Sequence, residues 1–210
     1  REIRNTAINV WIKMAENKSK GERQFQILEA ALELFVKKGY SDTSMNDIVN
    51  KSGLSKGAIY HYYNSKRDLF LSLIGHWETH AFPNLYIKDE NKSASEILKS
   101  FACVINETFQ NRRFVFLAEL EFWALSNRDE EVRNRTRLLY EKILSLFEKI
   151  LHKGIVSGEF REMNTGKSAL TIMTTLQGAI WFSIFQHQDF TMKEYLDENI
   201  DRLINSFQKL

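Results

Sequence analysis

Phe25, Leu28, Ala31, Leu32 and Phe35 recur at intervals of three and four residues, which sets all five along one stripe of a helix. The same period returns in Leu69, Phe70, Leu73, Ile74 and Trp77, and at the far end in Leu196, Ile200, Leu203, Phe207 and Leu210. A strand repeats every two residues and would scatter these side chains over both of its faces. Turn chemistry argues the same way. One proline, Pro83, and nine glycines in 210 residues are too few for the many turns of an all-β protein of this size. The fold class is therefore all-α, with enough chain for one large domain or two small ones.

Capping signals divide the first part into short helices. A helix over about 21–38 ends at Lys37-Lys38-Gly39, where lysines suit the dipole and glycine suits a left-handed stop. Thr43 and Ser44 are N-cap candidates, with Asp47 completing an approximate capping box for a helix over about 45–51. Its inward set is Met45, Ile48 and Val49. Ser52-Gly53-Leu54 forms a tight turn, and Ser55 caps a helix over about 56–63. Ser65, with Asp68 three residues on, caps the next, which Pro83 ends. Longer helices follow at about 94–110, 112–126, 129–157, 165–188 and 193–209, giving about nine in all. Residues 1–20 are read as an N-terminal extension or arm, 21–66 as a three-helix helix-turn-helix domain, and 67–210 as a helical bundle joined through the fourth helix. Met14 to Lys20 resembles a natural start with a basic arm, which makes residues 1–13 an upstream extension. A short helix carrying Ile3, Ala7, Val10, Trp11 and Met14 is the alternative reading.

Two short helices joined by a glycine-containing turn make the helix-turn-helix, whose second helix enters the major groove. Here that helix is Lys56 to Tyr63. Ile59 and Tyr63 lie four apart and face the core, leaving Lys56, Gly57, Tyr60 and His61 outside. Lys56 can meet guanine edges or phosphate, and His61 can donate to a base or phosphate. The hydroxyls of Tyr60 and Tyr62 reach phosphate oxygens. Thr43, Ser44 and Lys66 sit at helix starts, where free N–H groups favour a phosphate.

These residues carry a resemblance. Ile27-Leu28-Glu29-Ala30-Ala31, Leu34-Phe35, Gly39-Tyr40, Thr43 to Ile48 and the unbroken run from Ser52 to Leu69 resemble the DNA-binding domain of the TetR family of regulators. The likeness spans residues 23–74. It implies that Thr43, Ser55, Gly57, Tyr60, His61, Tyr62 and Lys66 fall where the family contacts DNA. It also implies a double-stranded DNA operator, a small-molecule effector and a homodimer, with repression as the usual mode. Tyr63 stands where the family usually has Phe, so its hydroxyl needs a partner if buried.

The bundle is less specific. Leu196, Ile200, Leu203 and Phe207 form a seam suited to a helical interface with a twin subunit, or to packing within the chain. An apolar pocket among the helices between 94 and 188 is expected to receive an aromatic or lipophilic ligand. Its candidate lining is Phe101, Phe109, Phe116, Glu119, Trp123, Phe147, Gln177 and Trp181. An inward Glu119 would select a cation. Each aromatic taken singly also fits an ordinary core.

Other classes find little support. Cys103, the single cysteine, excludes an intrachain disulfide, fits a cytoplasmic protein and reads as a buried hydrophobe. No phosphate loop, HExxH or Gly-x-Ser-x-Gly occurs, so no enzyme and no cofactor is expected. His76 and His80 have metal-ligand spacing without a third ligand near, and no metal site is assigned. The most apolar stretch, Leu176 to Phe185, is half the roughly 20 residues that cross a bilayer, so no membrane partner is expected. Net charge of +2 alone does not argue for nucleic acid, but between Lys18 and Lys66 eight basic residues face five acidic ones. A helical protein–protein adaptor would explain the seam but not an outward Lys56, Gly57 and His61.

Overall fold

The computed structural model describes residues 20–81, 91–185 and 189–208. The possible helix within residues 1–13, Pro83 with its neighbours, the end of the helix expected to reach Gln188, and the side chain of His80 lie outside the described residues. The elements are α1 (Lys20–Lys38), α2 (Met45–Ser52), α3 (Lys56–Tyr62), α4 (Lys66–Ala81), α5 (Ala94–Ser126), α6 (Glu130–Val156), α7 (Thr165–Phe182) with a 3₁₀ turn Ser183–Phe185, and α8 (Met192–Phe207). Among the described residues there is no strand, only an isolated bridge between Phe160 and Gln208. The all-α class is what the periodicity requires.

The chain divides into two compact units, residues 1–76 and 77–210, so the boundary falls inside α4 rather than at its start. In the first unit Ile27, Ala31, Phe35, Ile48, Ile59, Leu69 and Leu73 are fully buried. The rings of Phe35, Tyr40 and Phe70 meet pairwise with centroids 4.9–5.5 Å apart. Phe25 departs from the expected stripe. It is exposed at the first turns of α1, with its ring edge-on to His76 at 5.3 Å. His76 is buried instead, its Nε2 2.7 Å from Glu29 Oε1, which pins α1 to α4.

In the second unit α5, α6 and α7 run antiparallel in turn. The pairings Glu119–Tyr140 and Ser126–Arg133 fix α6 against α5, and Gly166 beside Glu148 fixes α7 against α6. The two helices expected at 94–110 and 112–126 follow one another directly within α5, divided at Arg112, whose φ of −143° and ψ of 48° are not helical. Next to the kink, Arg113 Nη2 donates to Ile184 O at 2.9 Å and ties α5 to the end of α7. Cys103 is exposed, not buried, because the inward set of α5 is Leu98, Phe101, Ala102, Ile105 and Phe109.

The seam of the last helix points inward. Leu196, Ile200 and Phe207 are 0, 2 and 5% exposed, buried on α5 and α7 of the same chain, and Leu203 is half-buried. Those residues are therefore not the dimer surface the sequence suggested. Amphipathic periodicity identifies a buried face without saying whose chain covers it.

Candidate nucleic-acid interface and effector site

Ser44 takes the N-cap of α2: its Oγ accepts from Asp47 N at 3.1 Å, and Asp47 Oδ2 accepts from Ser44 N at 2.8 Å. Lys38 reaches Asp47 Oδ1 at 2.7 Å, and this ammonium with the Ser44 donors holds the Asp47 carboxyl well below the usual range. The α2–α3 turn rests on Gly53 at φ 69°, a conformation that side-chain-bearing residues rarely adopt. Ser55 then caps α3 through Ala58 N at 3.2 Å.

On α3 the inner side is Ile59, fully buried, and the next residue of that side, Tyr63, is 5% exposed. Burial raises the Tyr63 phenol, and Gln24 supplies the partner its hydroxyl requires. Ser55, Lys56, Gly57, Tyr60 and His61 are exposed, Tyr62 half so. Lys56 Nζ lies over the Tyr60 ring at 5.7 Å, and the His61 and Tyr62 rings meet edge-on at 5.1 Å. A methyl at Gly57 would meet nothing within 4 Å, so no packing within the chain demands a glycine there.

Two expected members are turned away from this surface. Thr43 is 1% exposed, its hydroxyl donating toward Gly39 O at 2.8 Å and Leu34 O at 3.3 Å. Lys66 Nζ lies 2.6, 3.2 and 2.8 Å from the carbonyl oxygens of Tyr40, Ser41 and Thr43, and 4.3 Å from the Tyr40 ring centroid. Three N–H donors on three carbonyls leave that ammonium no proton for a phosphate. Both residues build the α1–α2 turn instead.

In the second unit Glu119 is 2% exposed. The Tyr140 hydroxyl donates to Glu119 Oε1, and Gln177 Nε2 donates to Oε2 at 2.7 Å. Burial pushes the Glu119 carboxyl up, opposed by those two hydrogen bonds, and burial beside Glu119 pushes the Tyr140 phenol up as well. Trp123 Nε1 donates to the Tyr140 hydroxyl at 2.7 Å, and the Trp123 ring lies 5.5 Å from Tyr140 and 5.9 Å from Trp181. The fold thus brings Glu119, Trp123, Gln177 and Trp181 together. Phe101 and Phe147 pair with each other at 4.9 Å, and Phe147 stands seven residues, about 10 Å, along α6 from Tyr140. Phe109 and Phe116 pair at 6.2 Å on α5. These four fill core.

Comparison with known proteins settles the kinship. The family described as bacterial regulatory proteins, tetR family, matches residues 27–73, and the C-terminal region of QacR-like proteins matches 115–209. An uncharacterized HTH-type transcriptional regulator, YfiR, from Bacillus subtilis is 34% identical over 68% of this chain and 70% of its own. The chain belongs to the TetR family of bacterial regulatory proteins.

As a TetR-family member it is a helix-turn-helix transcription regulator. Solved structures agree on the fold. A putative transcriptional regulator from Saccharomonospora viridis, in complex with choline, superposes with TM-score 0.79 at 19% identity, over 91% of this chain and all of the other. FadR from Bacillus subtilis, in complex with stearoyl-CoA, gives 0.71 at 21% identity over 88 and 99%. Within this TetR-family chain sequence reasoning missed Tyr140. Its position in a helix otherwise rich in Arg, Lys and Glu gave no apolar or motif signal. The only cue was that an inward Glu119 demands donors.

Proposed function

We propose that this TetR-family regulator binds a double-stranded operator through Ser55, Lys56, Gly57, Tyr60, His61 and Tyr62, with the α2 N-terminus at Ser44 on phosphate. The exposed outer side of α3 carries this reading. It acts as a cytoplasmic homodimer, since one seven-residue recognition helix spans few base pairs and a two-fold pair reads two half-sites. The dimer surface is the outer stripe of α7. Leu170, Thr174, Gly178 and Phe182 recur every four residues there, with Leu170 48% and Phe182 63% exposed at its ends and small residues between.

The effector is a lipophilic cation that releases the repressor from DNA. Glu119 is a carboxyl withdrawn from water with only neutral donors on it, so an arriving cation supplies the one charge that stabilises its ionised form, which a neutral or acyl ligand would not. Trp123, Trp181 and Tyr140 supply π-faces for the same charge. Release follows only as far as the ligand prefers the non-binding dimer. The test is selection of bound duplexes from genomic fragments, followed by addition of a lipophilic cation. Recovery of a specific duplex that the cation displaces supports the reading; duplexes retained at saturating cation refute its effector half.

A further inference from the structure

Glu119 is supplied for a neutral carboxyl and not for a charged one. Its two oxygens receive one donor each, the Tyr140 hydroxyl on Oε1 and Gln177 Nε2 on Oε2, where an ionised carboxylate offers about four acceptor sites. Tyr140 has no second proton to give, and its oxygen already accepts the indole N–H of Trp123. No charged group among the described residues acts on Glu119. On α5, Arg113 is turned to Ile184 O, and Glu121, two positions on, faces another side of the helix. On α6, Arg137 is engaged by Glu141, and Lys142 by Glu78 of α4. The α4 side chain that meets α5 here is neutral Trp77, and His76 beside it is engaged by Glu29. From Ser168 to Phe182, α7 carries no titratable side chain. The ion pair of α8 with α5, Lys99–Asp201, lies twenty residues along α5 from Glu119.

A carboxyl 2% exposed, with no countercharge, resists ionisation until a positive charge comes to it. Resting on the reading that Glu119 receives a cationic effector, we propose that the effector binds by exchange: the cation takes the place of the proton on the Glu119 carboxyl, that proton leaves to solvent, and effector affinity therefore rises with pH. Charge balances, since one positive charge enters the site as another leaves. Burial pushes the free carboxyl up, the direction that exchange requires. The regulator would then answer the same cation less readily as its surroundings turn acid.

The test is titration calorimetry of the full chain with tetraphenylphosphonium, whose charge does not depend on pH, at several points between pH 5 and pH 8. Affinity should tighten with pH, approaching about tenfold per unit where the free carboxyl is protonated. In that range, PIPES and ACES, buffers of different protonation enthalpy, should report up to about one proton released per cation bound. Glu119→Gln should bind more weakly, with neither pH dependence nor proton release. Tyr140→Phe removes a donor to the ionised form and should move the tightening to higher pH, which decides the matter where Glu119→Gln fails to fold. If the wild-type chain binds the cation with Glu119-dependent affinity but without pH dependence or proton release, exchange is overturned and the cation reading stands. Proton release that persists in Glu119→Gln also overturns exchange. If Glu119→Gln leaves the affinity unchanged, or the cation does not bind, both are overturned.

Discussion

Lys66 holds the carbonyl oxygen of Thr43 at 2.8 Å, and with it the turn from which α2 begins. The relationship assigns the lysine to building the DNA-binding unit, not to touching DNA. Lys66→Met strands three carbonyl oxygens and should cost about 1–3 kcal/mol, roughly 5 °C in melting temperature. A phosphate contact would leave a different mark: the slope of log affinity against log salt would fall by about one. Measured on duplex DNA, the slope for the variant should match the wild type.

Glu119 makes stability depend on pH. Burial raises its carboxyl above the unfolded value, so its protonated form is favoured by the fold. Stability from this group is complete below the ordinary carboxylate range and is lost as pH rises through the raised value. Glu119→Gln cannot ionise. The melting temperature of the variant relative to wild type should therefore climb between pH 5 and pH 8, followed by calorimetric scans. A flat difference would mean the carboxyl is not desolvated as described.

Glu159 works with the opposite sign. Burial disfavours its charge, but the N–H groups of Ser95 and Ala94, at 2.9 and 2.8 Å, outweigh that and hold the carboxyl below its usual range. It caps α5 from the α6–α7 loop. Its contribution is present above the unfolded carboxylate range and is lost as pH falls through the depressed value. Glu159→Gln should cost about 1 kcal/mol at pH 7, the typical worth of a cap, and the gap should close under acid.

Gly154 is a packing glycine. A methyl there would sit 2.2–2.8 Å from the ring of Phe160, which is 1% exposed and lies against Phe207 at 5.8 Å. Gly154→Ala should lose about 1–3 kcal/mol by overpacking, read in denaturant unfolding. Adding Phe160→Leu should recover part of it.

Much of this was legible in the sequence because it is local. The caps at Ser44 and Ser55, the stop at Gly39 and the inner side of α3 follow from hydrogen bonds within a few residues. Glu119 stood out because an acid among Phe116, Phe122 and Trp123 is costly unless partnered. What failed was long-range. Lys66 has an ordinary DNA-contact chemistry, and only the approach of the 40–43 turn to α4 spends it internally; Thr43 spends its hydroxyl on the carbonyl oxygens of Leu34 and Gly39 at the end of α1. Leu196, Ile200 and Phe207 have a seam's period, but α5 and α7 of the same chain cover them. Cys103 fell one position outside a stripe whose phase is set by the bundle.

The outer side of α3 is the centre of the account, and Gly57→Leu probes it most directly. No atom lies within 4 Å of a Cβ at Gly57, so the variant should fold with an unchanged or slightly raised melting temperature. Wild-type protein should select a duplex whose affinity falls about 10³-fold between 50 and 200 mM salt, and the folded variant should lose that selection. A folded Gly57→Leu protein that enriches the same duplex with wild-type affinity would contradict the account.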